Sequence, residues 1–509
     1  SNSVDVTVSI TDVFSPLEIA KMTASDADLD DNFGGAVAIS GDYIVVGASD
    51  DDDNGSLSGS AYVFKVGASG SVTQIEKLTA SDGATNDYFG RYSVAISGDY
   101  IAVGAYGDDD NGSNSGSAYL FKINTDDDTV SETAKLTAID GAGSDFFGRP
   151  VAISGDYIVV GALGNADNGV NSGSAYVFKI NTDDDTVSET AKLTASDGST
   201  SDLFGSTVAI SGDYIVIGAS YDDDDGTNSG SAYLFKINTD DDTVSEMAKL
   251  TANDTITLDN LGGAVAILGD YIVVGAPLDD DNGISSGSAY LFKINTDDDT
   301  VSEVAKLTAS DGAKDDYFGG SISISGDYIA VGAHGDGDDL GSVYLFKINA
   351  DDDTVSETEK LTASDGASSD YFGRYSVAIS GNYIAVGASG DDDNNPDSGS
   401  AYIIALEPQN RPYWENYVAQ IEVAESITDI YTVLTNSINT GDITVSLSGD
   451  DANDFSIVND VITAVGTLEY ASPQDSDIDG TYEITVNLED AQGKTYSYNT
   501  SIEIVDPTF

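Results

Sequence analysis

The chain has 509 residues, with 89 acidic against 19 basic side chains, a net charge of −70 and no cysteine. That balance excludes nucleic acid as a partner, since phosphates need Lys and Arg to neutralise them, and the missing cysteines exclude disulfide and thiolate chemistry. The acid is 73 Asp and only 16 Glu, a skew toward the residue of turns, loops and hard-metal sites, and it points to a loop-rich, all-β chain.

At the N-terminus, Ser1-Asn2-Ser3 lacks the charged-then-apolar layout of a signal peptide, and no apolar run reaches the roughly 18 residues of a membrane-spanning helix. No membrane insertion of this segment is expected. Residues 4–11, followed by Asp12, read as the last strand of a preceding domain, much as residues 501–506 do at the other end. Residues 1–15 are therefore expected to belong to such a domain, and the chain to be a monomeric module of a longer tandem array. Next comes Lys21-Met22-Thr23-Ala24, a variant of a Lys-Leu-Thr-Ala signature that recurs from Lys77, Lys135, Lys192, Lys249, Lys306 and Lys360.

From there the chain repeats. Phe-Gly pairs stand at Phe33, Phe89, Phe147, Phe204, Phe318 and Phe372, with Leu261-Gly262 in the fifth place, at spacings of 56, 58, 57, 57, 57 and 54 residues. A Gly-Ala pair follows each, from Gly47 to Gly387. Within one unit, residues 92–97 and 100–105 flank the two-residue turn Gly98-Asp99, and two further strands are predicted at 117–123 and 130–138. Four antiparallel strands per unit describe a propeller blade. The Lys-Met-Thr-Ala strand precedes the first Phe-Gly and no such strand follows the last unit, so residues 17–24 are expected to supply the outer strand of blade seven and close the ring.

These motifs resemble the FG-GAP repeats of integrin α-subunit β-propellers and their bacterial relatives. Seven exact or near copies of Phe-Gly, Val-Ala-Ile-Ser-Gly-Asp-Tyr and Val-Gly-Ala carry the resemblance over residues 17–406. It implies a seven-bladed, four-stranded propeller over 16–406, extracellular at a cell surface or secreted, calcium-bearing and adhesive. Integrin-type calcium loops lie in the hairpin between the first two strands, and here that hairpin is only Ser-Gly-Asp, too short to wrap an ion.

Candidate calcium ligands fall instead in the loop after strand two, where alternate carboxylates precede an amide and a glycine. They are Asp51 and Asp53, Asp108 and Asp110, Asp167, Asp222 and Asp224, Asp279 and Asp281, Asp336 and Asp338, and Asp391 and Asp393. A second pattern, seven and two residues before each Phe-Gly, pairs Asp26 with Asp31, 82 with 87, 140 with 145, 197 with 202, 254 with 259, 311 with 316 and 365 with 370. Turn capping and metal ligation are both open there. The Asn-Thr-Asp-Asp-Asp-Thr loop after strand three, as at 124–129, reads as a solvated hairpin, since blade one lacks it. Tyr43, Tyr62, Phe64 and their equivalents read as packing between blades. His334, the only histidine, reads as an incidental surface residue with no partner base or nucleophile.

Beyond Glu407 a Pro-flanked linker leads to alternating strands at 418–423, 443–447, 461–465, 482–488 and 496–505. Leu447-Ser448-Gly449, Phe455-Ser456-Ile457, Leu468-Glu469-Tyr470 and Tyr482-Glu483-Ile484-Thr485-Val486 resemble the cadherin-like domains of bacterial surface proteins. The resemblance implies a cadherin/Ig-like β-sandwich over 407–509, where Asp475, Asp477 and Asp479 are further candidate calcium ligands. The function expected is a calcium-binding adhesin module that takes a glycan or protein ligand on another cell or surface. The alternatives are a structural spacer with a salt-adapted surface and, less favoured, a polysaccharide-active enzyme. Carboxylates distributed by repeat symmetry leave no single constellation to act as an active site.

Overall fold

A computed structural model describes residues 16–406 apart from 68, 69, 255, 393 and 394, together with the backbone of short strands on either side of that range. Two compact units result, one of residues 16–406 and one of 1–15 with 407–509.

Residues 16–406 form seven four-stranded antiparallel sheets. Blade one runs Phe33–Ser40, Tyr43–Ala48, Ser60–Val66 and Val72–Leu78, in that order across the sheet. The repeat dictates each strand. Ser-Gly-Asp-Tyr turns the chain in two residues, with Gly41 at φ 56 and Ser40 paired to Tyr43, as a tight hairpin with glycine first requires. Strands two and three are apolar runs with both faces covered, and Ile44, Val45, Val46, Tyr62 and Val63 are wholly buried. Strand four is mostly half-buried, as the outermost strand at the rim. First strands of successive blades neighbour one another around the ring, so they line the axis.

The Phe-Gly pair is the joint between blades. Phe33 is fully buried and meets Tyr62 and Phe64 of its own blade edge-on at 5.5 and 6.0 Å, a burial that contributes about 2–3 kcal/mol per ring. Gly34, at φ 90, lies so close to the preceding blade that a Cβ there would sit 2.1 Å from the Ser400 carbonyl oxygen. Parallel bridges tie Gly59 to Phe89, Gly116 to Phe147 and, across the closure, Gly399 to Phe33.

The ring closes as the offset of the Lys-Leu-Thr-Ala strand predicts. Leu17–Met22 pairs antiparallel with Ser400–Ala405 as the outer strand of blade seven. Glu18 then accepts hydrogen bonds from the Ser364 N–H and hydroxyl, as Glu132 does from Ser81 and Glu246 from Ser196 between ordinary neighbours.

In the other unit, Thr481–Glu489 pairs with Thr495–Glu503 and Thr444–Ser448, and Val461–Ala464 with Phe455–Val458. Val4–Val6 pairs with Ile421–Val423, and Val8–Thr11 adds to Thr495–Glu503. These pairings cover backbone groups that an edge strand would otherwise leave open.

Candidate functional site

The loops after strands two and four share one face, here the upper face, and the hairpins after strands one and three the other. On the upper face each blade builds one polar cluster. In blade one, Lys77, the penultimate residue of the fourth strand, places its Nζ 2.7 Å from Asp26, 2.8 Å from Asp51 and 2.6 Å from Asp53. The Tyr62 hydroxyl, rising from the core, lies 2.8 Å from Asp26 and 3.0 Å from Asp51, so its single proton serves one or the other carboxylate. The Asp51 side chain is only 6% exposed against 61% for Asp53, so the cluster has a buried floor and an open rim.

The same geometry recurs with Lys135 among Asp82, Asp108 and Asp110, Lys249 among Asp197, Asp222 and Asp224, and Lys306 among Asp254, Asp279 and Asp281. Blade three has Asn165 on the floor, and Lys192 spans Asp140 and Asp167. In blade six the shortened loop is a helical turn, Asp336–Asp339, and Lys360 joins Asp311 to Asp336. Blade seven borrows its lysine from the chain start: Lys21 pairs Asp365 and Asp391. Every described loop cluster therefore brings its predicted aspartates together, around an ammonium group. Asp393, Asp475, Asp477 and Asp479 lie outside the described residues, as does the Asp338 side chain.

The lysine is the functional residue that sequence reasoning missed. Lys-Leu-Thr-Ala is legible as a strand signature, and its co-occurrence with the aspartate triplets was the available signal. Burial alone would depress the Lys77 pKa, but hydrogen bonds to Asp26, Asp51 and Asp53 outweigh it and hold the amine protonated. Burial likewise raises Asp26, and the Lys77 and Tyr62 hydrogen bonds more than offset it, so its pKa falls. The two aspartates of the second pattern separate in role. Asp26 and its equivalents face the lysine, whereas Asp31, Asp87 and Asp145 turn inward and accept the N–H three residues back, from Asp28, Ala84 and Ala142. This is turn capping. Burial raises the Asp87 and Asp259 pKa to about 6.

The lower face corrects a second expectation. The Asn-Thr-Asp-Asp-Asp-Thr hairpin is not merely solvated: its last aspartate, in the left-handed region at φ 60 for Asp128, reaches back to the preceding blade. Asp128 accepts hydrogen bonds from the Tyr43 hydroxyl and Lys65 Nζ, both at 2.6 Å. Asp185 does so from Tyr100 and Lys122, Asp242 from Tyr157 and Lys179, Asp299 from Tyr214 and Lys236, and Asp353 from Tyr271 and Lys293. Blade one lacks the hairpin aspartate, and blade seven has Ala405 where the clasped lysine would stand. The tyrosines of strands two and three are thus polar anchors as well as packing.

His334 is not a free surface residue either. It stacks on Tyr317 at 4.8 Å and meets Tyr371 edge-on, and its buried Nδ1 has no hydrogen-bond partner. Burial, then the charge of Arg374, lowers its pKa to about 4.

The chain belongs to the FG-GAP repeat family, whose repeat matches residues 17–64, 72–121, 130–178, 187–235, 244–292, 301–346 and 355–404. Propellers of this family are typically binding modules and not enzymes, and the repeats are typical of extracellular proteins. No curated protein matches the sequence. Among solved structures, a Bacteroides uniformis protein named as a 6-phosphogluconolactonase is 15% identical, with 72% of this chain and 98% of that one covered at a TM-score of 0.45. No described helix is long and apolar enough to cross a membrane.

Proposed function

We propose that the chain is an extracellular, adhesion-type module of a large bacterial surface protein, taking a glycan or protein ligand at the upper face of the propeller. Residues 407–509 are read as a cadherin-like β-sandwich. The observation that carries the proposal is the closed ring of an FG-GAP propeller, which gathers two loops from every blade around one axis on one face. The whole chain should therefore retain glycans or surface proteins in a binding screen. A screen that finds no ligand, with or without calcium, leaves only the spacer reading.

Calcium binding is a second reading, supported by carboxylate oxygens of Asp26, Asp51 and Asp53, and of Asp82, Asp108 and Asp110, lying within 4.8 Å of one another. Hard oxygen donors in that number suit Ca²⁺, and three carboxylates against one ammonium leave a net negative cluster. The same oxygens already hold Lys77 and Lys135, however, so a divalent ion must displace an amine that the cluster keeps charged. Melting with calcium and with chelator separates the cases. A site filled to 100 times its dissociation constant adds about 2.7 kcal/mol, whereas lysine-neutralised clusters melt alike in both.

A further inference from the structure

The seven blades are near copies, and the departures from sevenfold symmetry concentrate at one place. All three arginines of the propeller, Arg91, Arg149 and Arg374, stand two residues after the phenylalanine of a Phe-Gly pair, in blades two, three and seven. The other blades carry Gly35, Ser206, Gly263 and Gly320 there. In the three arginine-bearing blades this position lies two or three residues before the first strand, which starts at Val94, Val151 and Val377, at the upper mouth of the axis. Tyrosines follow two of the arginines, and Tyr92 of blade two meets Tyr375 of blade seven at 5.1 Å, edge to face, although blade one stands between them. Blade one carries the small residues Gly35 and Ala36 at the corresponding positions. Arg91 and Arg149 lie over the Tyr92 ring at 5.1 and 5.4 Å, and Arg374 over Tyr375 at 4.6 Å.

Three features separate this group from ordinary packing. Nearly every lysine of the propeller holds a carboxylate within 4 Å, whereas Arg149 and Arg374 make no ion pair and no side-chain hydrogen bond among the described residues, in a chain with 89 acidic groups. Each guanidinium therefore keeps a planar fork of N–H donors free for an oxyanion. Tyr92 sits in the left-handed region at φ 64, where none of its six equivalents lies; a bulky residue held there is strained, as groups at binding sites often are. Arg149 and Tyr375 are exposed.

We propose that this mouth binds the acidic terminal sugar of a glycan, with Arg149 and Arg374 taking the oxyanion and the Tyr92 and Tyr375 rings lying against the sugar. The inference rests on the ligand-binding reading above and places the ligand on it. A terminal anion is favoured over a polyanion because the aspartate rim of every blade surrounds the mouth and repels any chain that carries charge along its length.

The test uses the full 509-residue chain and three oligosaccharides alike except at the end: one capped with glucuronic acid, one with sulfated galactose and one with glucose. An acid-capped sugar should bind about tenfold or more tightly than the glucose-capped one, since charged hydrogen bonds are lost with the anion; the preferred acid identifies the oxyanion. Arg149→Gln with Arg374→Gln should abolish that preference, and Tyr375→Ala should weaken all three. Lys347→Gln, an exposed cation on the lower face without an ion pair among the described residues, should change nothing. Equal binding of all three sugars, or an acid preference that survives in the arginine variant while its melt matches wild type, overturns the inference. Retention of some other glycan or protein by that arginine variant leaves the broader binding reading standing. No binding to any ligand sinks both.

Discussion

The two faces of the propeller spend the same residue differently. On the upper face the aspartates converge within one blade on a lysine, with a buried carboxylate and a tyrosine hydroxyl beneath. On the lower face a single aspartate crosses to the preceding blade and meets a buried tyrosine and a lysine that, like the aspartate itself, is partly solvated. Upper clusters hold loops in shape; lower clasps hold blades in register. An acidic composition therefore says little about the work its carboxylates do. Burial decides that, since a charge left unpaired in the interior costs several times what an exposed pair contributes.

The sharpest way to break this contrast is Lys77→Met. It strands Asp51 on a buried floor and should lower stability by about 3 kcal/mol by chemical denaturation. Calcium should then restore part of the loss, because three carboxylates without their amine form the better cation site. A variant as stable as wild type without calcium would remove the lysine from its central role. His334 comes next. Its folded pKa, about 4, lies below the ordinary value near 6.5, so its contribution is fully present above pH 6.5 and is lost as pH falls toward 4. Wild type should thus lose about 2 kcal/mol relative to His334→Tyr between pH 7 and 4.5. Asp87 and Asp259 act in the opposite sense, their raised pKa values favouring the fold as pH drops below about 6, so the measured quantity is the difference between the two proteins.

Tyr62→Phe removes one hydroxyl from both Asp26 and Asp51 and should cost about 1.5 kcal/mol in the same assay. The smallest effect is on the lower face. Asp185→Asn should cost on the order of 0.5 kcal/mol, and the loss should fade in high salt as screening sets in. An effect as large as that of Lys77→Met would mean that the clasps, and not the clusters, carry the ring.

Seven units, four strands each, the Ser-Gly-Asp turn and the closing strand at residues 17–22 are all legible in the sequence. Each depends on local periodicity or on counting repeats, and a circular offset has one economical solution in three dimensions. Proximity in space is not written that way. Lys77 stands 24 residues from Asp53 and 51 from Asp26, and Asp128 stands 63 from Lys65; sheet order alone brings them together. Tyr92 and Tyr375, in the second and seventh blades, touch only because the chain returns on itself. Local pattern sets what each strand and turn can be, whereas charge compensation is a property of distance, and distance belongs to the closed ring.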